Sequence, residues 1–135
     1  MTIFWMKNAA RAASLVFALV APLTNAHASV DDYQFQLMQT TVKKADSAII
    51  AVRLVDKRSG TIVPDAVIFT QRLDMAPDGM AEMTTTVKPL PSTEPGVYRF
   101  DVNLSAPGGW RLSLAAKVQG ETGTITSQLD FQVAP

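Results

Sequence analysis

The chain has no cysteine and a single histidine, His27, among its 135 residues. The first lack removes disulfides, thiolate metal sites, cysteine nucleophiles and the acylated cysteine of a lipoprotein. The only histidine falls within the segment read below as a secretory signal, so the mature chain is expected to have no imidazole for triads, histidine bases or metal ligation. No nucleophile and base set remains, and the chain is expected not to be an enzyme. An excess of one charge is also missing: 12 Lys and Arg face 12 Asp and Glu. Without a basic stripe to meet phosphates, nucleic acid is not an expected partner.

Long apolar runs are lacking as well. The longest, residues 12–23, is interrupted by Pro22 and falls short of the roughly 20 residues that a membrane-spanning helix needs. It follows Lys7 and Arg11 and precedes Ala26-His27-Ala28, a small-x-small cleavage pattern. This order reads as a secretory signal peptide over residues 1–28, removed after Ala28, with no membrane span in the mature chain. Residues 29–135 then form one domain, expected in the periplasm and without its only histidine.

From Tyr33 onward, apolar and polar residues alternate in short runs broken by Gly, Pro and Asp or Ser, which is the period of half-buried strands. Tyr33, Phe35 and Leu37 share one face, leaving Met38 turned to solvent. Ile50, Val52 and Leu54 share another, before a turn over 56–60. The run 66–73 follows, with Val67, Phe69, Leu73 and Met75 placed on one face by parity. Residues 74–79 read as a loop and 81–87 as a weaker strand. Pro89, Pro91 and Pro95 keep 88–96 out of any central strand.

Tyr98, Phe100, Val102 and Leu104 form a clean apolar face, as do Trp110, Leu112, Leu114 and Ala116, which makes Trp110 a core anchor. Residues 110–118 and 124–133 are expected to pair as a hairpin around Gly120 and Gly123. Only the stub 29–32 is expected to lack order. About seven antiparallel strands at this spacing predict an all-β, immunoglobulin-like β-sandwich.

The segment Asp74-Met75-Ala76-Pro77-Asp78-Gly79-Met80-Ala81-Glu82-Met83 concentrates Met75, Met80 and Met83 within nine positions. A thioether is a soft, neutral donor, and in a chain without thiolates it suits copper(I). Pro77 and Gly79 allow a turn that brings Met75 and Met80 together, with Met83 as a third sulfur. Two other uses fit the same residues: methionine fills irregular cores, and exposed methionine adapts to apolar partners. Asp74, Asp78 and Glu82 read as solvated turn carboxylates.

The order of Gly-Thr-Ile-Val-Pro-Asp-Ala-Val, the methionine-rich loop, Pro-Gly-Val-Tyr and Gly-Gly-Trp-Arg-Leu resembles the YtkA-like/FixH-like family over nearly all of the mature chain. The resemblance implies a β-sandwich outside the cytoplasm, associated with metal transport, copper handling or oxidase assembly. It brings no catalytic residues. The chain departs from the FixH pattern in having no histidine in the loop. The expectation is a periplasmic accessory protein binding copper(I) through Met75, Met80 and Met83. The alternative is a metal-free module docking on a membrane efflux or respiratory complex.

Overall fold

The computed structural model describes residues 29–135. The expected signal peptide, residues 1–28, lies outside the described residues.

Among the described residues nine strands make two packed sheets. The first sheet has the order β1 (Tyr33–Leu37), β3 (Ala45–Asp56), β7 (Val97–Leu104) and β6 (Val87–Leu90). The second runs β2 (Thr41–Lys43), β9 (Ile125–Ala134), β8 (Gly108–Val118), β4 (Ala66–Met75) and β5 (Met80–Thr85). The chain changes sheet between β1 and β2, β2 and β3, β3 and β4, β5 and β6, and β7 and β8, and the two packed sheets are the immunoglobulin-like arrangement that the strand spacing predicts. Two features exceed that expectation: the short strands β2 and β6, and a parallel ladder in which Thr41–Lys43 lies along Gln132–Ala134.

Apart from β4, each long run buries the face its alternation marks. Ile50, Val52 and Leu54 of β3 and Phe100, Val102 and Leu104 of β7 close the core from one side. Trp110, Leu112, Leu114 and Ala116 of β8, with Ile125, Phe131 and Val133 of β9, close it from the other. Burying one such large side chain stabilises the fold by about 1.5–3 kcal/mol. The expected hairpin is present, with Trp110 opposite Phe131 and Ala116 opposite Ile125. Pro89 sits in β6, which among the described residues is an edge strand paired only with β7, as its missing N–H requires.

Two expectations are corrected. The stub is ordered: Val30–Asp32 forms a single 3-10 turn, with the Ser29 N–H donating to the Asp32 carboxylate at 2.8 Å. On β4, a bulge between Ile68 and Thr70 shifts the register against β8. Parity therefore reverses within the strand, leaving Val67 and Phe69 exposed while Leu73 and Met75 are buried.

Candidate functional site

The β4–β8 ladder ends at Asp74 opposite Arg111. Met75 and Trp110 come next on their strands, and both belong to the buried core. The chain then turns through Ala76–Asp78, a 3-10 turn with Pro77 near its start. It closes on Gly79 at φ 76°, a left-handed conformation that glycine adopts without a Cβ penalty. The return brings Met80 directly opposite Met75. Cross-strand partners of this kind have Cα atoms about 4.5–5.5 Å apart.

The register then jumps: Asp74 pairs with Thr84 and Leu73 with Thr85, so Ala81, Glu82 and Met83 form a bulge with no counterparts on β4. The three methionines therefore differ in setting. Met75 is 3% exposed, Met80 38% and Met83 48%. Met75 and Met80 are in register, whereas Met83 lies on the surface of the bulge.

Polar contacts fix this end of the sandwich. Asp74 Oδ1 accepts the Ala76 N–H at 2.9 Å, and its Oδ2 accepts Arg72 Nε at 2.9 Å. Arg72 Nη2 reaches the Ala81 carbonyl at 2.7 Å, tying the bulge of β5 back to β4. Asp74, expected as a solvated carboxylate, is only 5% exposed, because it serves as the hub of this cluster. Its Asp-x-x-Pro context carried the signal, since Asp favours bonding to the backbone two residues on. Asp78 and Glu82 are exposed as expected.

Asp78 also has a role that sequence reasoning missed. Its Oδ2 accepts the Gly109 N–H at 3.0 Å, latching the turn to the start of β8. The two glycines there leave room for this approach. A Cβ on Gly109 would stand 2.9 Å from both Asp78 Oδ1 and Pro77 Cβ, and one on Gly108 would stand 2.9 Å from Met75 Cε. Trp110, buried as expected, gives its Nε1–H to the Ala106 carbonyl at 2.9 Å.

Among the described residues no group of three or more His, Cys, Asp or Glu is placed to hold a metal ion. The donors at this end are thioethers, the exposed carboxylate of Glu82, and the Asp74 and Asp78 carboxylates already engaged by Arg72 and backbone N–H groups. That donor set fits a soft monovalent ion better than a hard divalent one. Across the outer face, Arg111 binds Asp130 through two bonds at 2.8 and 3.2 Å. The hydrogen bond to Arg111 holds the Asp130 carboxyl below its ordinary pKa.

No helix among the described residues is long and apolar enough to cross a membrane. A family model described as YtkA-like matches residues 27–115. No curated protein sequence matches the chain. Solved structures resemble it at low identity, among them the following two. The Lin-41 filamin domain is 18% identical, with 76% of this chain and 92% of that one covered at a TM-score of 0.47. The ZirS C-terminal domain is 13% identical, with 84% and 75% covered at 0.46.

Proposed function

The chain belongs to the YtkA-like family, and from that premise we propose that it is an exported, non-enzymatic accessory domain that takes up copper(I) at the β4–β5 hairpin. Met80 and Met83 supply exposed thioethers, and Met75, buried in the core and register partner of Met80, is the third candidate. The periplasm is the compartment this role requires, and metal homeostasis, efflux or oxidase assembly is its setting. The observation that carries the reading is the register, which makes Met75 and Met80 backbone partners across the hairpin. Soft donors with no competing thiolate or imidazole in the mature chain make copper(I) the matching cargo.

The test is a copper(I) competition titration of the purified protein under reducing conditions. Exchanging Met80 and Met83 for leucine leaves the core untouched, and each exchange is expected to lower affinity at least about tenfold, or 1.4 kcal/mol. Binding that is unchanged in the double variant rejects the site.

A second reading has its own observation. Met75, at 3% exposure, is sealed in the core, which leaves two surface methionines suited to an apolar partner. The domain then docks, without metal, on a membrane transport or respiratory complex. Pull-down from membranes with and without copper separates the two. Capture that ignores copper and is lost with Met80→Asp supports docking.

A further inference from the structure

Among the described residues, much of one edge of β4 has no partner. The strand runs Ala66–Met75, yet β5 pairs with it only at Leu73, Asp74 and Met75. After Thr85 the chain crosses to the other sheet as β6. Among the described residues no strand pairs with 67–72 on that side. Open edges are normally guarded by charge, proline or brevity. By those measures β6 has Lys88 and Pro89, and β2 has three residues including Lys43. The open run Val67-Ile68-Phe69-Thr70-Gln71 has neither charge nor proline. Val67 is 65% and Phe69 53% exposed.

The bulge of β4 determines what can pair here. Before it, Ala66 and Ile68 turn towards the core; after it, Gln71 and Leu73 do, while Val67, Thr70 and Arg72 face outward. Residues directly opposite in an antiparallel pair share a face. The strand can therefore meet its own copy about a two-fold axis with faces matched at Val67 opposite Thr70, Ala66 opposite Gln71 and Asp65 opposite Arg72, the bulged pair Ile68 and Phe69 at the axis being the one place where inward and outward residues oppose. This register spans the open run and stops just before Leu73, where β5 begins. It also sets the exposed Asp65 against Arg72 of the other copy, whose guanidinium is half-exposed while bonded to Asp74 and the Ala81 carbonyl, and does so twice by symmetry. The Ala66 N–H already goes to the Tyr98 hydroxyl, which leaves the new ladder to the residues between.

We propose that this edge is a self-association surface, where a second copy adds its β4 antiparallel and joins the two five-stranded sheets into one. Phe69 of each copy lies beside the axis, and the two Asp65–Arg72 pairs select the register. The inference does not depend on metal binding.

The missing cysteines make the test clean, because introduced thiols report alone. Val67→Cys and Thr70→Cys in one chain stand about 10 Å apart along the strand, too far for a bridge within that chain. In the proposed register, each lies opposite the other's counterpart in the second copy. Oxidation of the double variant is expected to give a covalent dimer, and each single variant to stay uncrosslinked. Sedimentation equilibrium of the unmodified protein is expected to give twice the chain mass. Phe69→Lys is expected to give the single mass with an unchanged circular dichroism spectrum. Asp65→Lys is expected to raise the dissociation constant, by up to roughly tenfold at low salt.

Several results overturn the proposal: an unmodified protein of single mass, a double variant that does not crosslink, or single variants that crosslink equally well. A single-mass chain that instead takes an extended peptide at this edge overturns it too.

Discussion

At the scale of single residues, three methionines that look alike in sequence carry different physical burdens. Met75 fills the core beside Leu73, while Met80 and Met83 are surface residues of β5. Met75→Ala is expected to cost about 2–5 kcal/mol, because the cavity adds to the lost transfer energy. Met75→Leu conserves volume and is expected to cost less than about 1.5 kcal/mol. Leucine at 80 or 83 is expected to shift stability by no more than about 0.5 kcal/mol. Urea unfolding with unchanged m-values measures all four. A Met75→Ala cost as small as that of the surface exchanges would place Met75 outside the core. The clustering of the methionines was legible in the sequence, but their separation into buried and exposed was not. A thioether suits either setting, and parity with Leu73 was the one hint that Met75 plugs the core.

At the scale of elements, the apolar alternation of β3, β7, β8 and β9 named their buried faces correctly, because each is regular over its central run. It failed on β4, where Phe69 lies in a bulge that an apolar pattern cannot announce. Strict alternation puts Val67 and Phe69 on the face of Leu73, yet they point away from it. The three residues of β2 were too few to show a period, and their parallel partner lies at the far end of the chain. The β4–β5 turn was legible through Pro77 and Gly79, but its latch was not, since a carboxylate and a distant glycine N–H share no local signal. That latch yields a prediction. Gly109→Ala places a methyl group against Asp78 and Pro77, two groups that are not free to yield together. The turn is expected to lift from β8, with a loss above about 1 kcal/mol and faster amide hydrogen exchange over residues 76–83. Exchange unchanged in that segment would mean that the turn is held without the Asp78–Gly109 bond.

At the scale of the whole molecule, the two sheets must be held in one relation for the hairpin end to keep its shape, and Tyr98 links them. It stands on β7, edge to face with Phe35 at 6.1 Å, and its hydroxyl reaches the connection that leads into β4. The hydroxyl donates to the Val63 carbonyl and accepts the Ala66 N–H, both at 3.0 Å. Tyr98→Phe leaves those two backbone groups without their partner, at an expected cost of about 1–3 kcal/mol near neutrality.

The pH dependence follows from the hydroxyl's surroundings. Burial pushes its pKa up, the Ala66 N–H works against this, and Asp65 adds to the rise. A group whose folded pKa is raised contributes its full stability below the unfolded value, near 10 for tyrosine, and loses it as pH climbs past that point. Tyr33, raised mainly by burial and also by Glu121, behaves in the same sense but is present in both proteins and cancels from the comparison. The stability gap between the natural chain and Tyr98→Phe is therefore expected to be constant from pH 7 to about 9 and to narrow above about 10. Chemical unfolding across that range measures it. A gap that stays constant into the alkaline range would mean that the phenol proton does not bridge the two sheets.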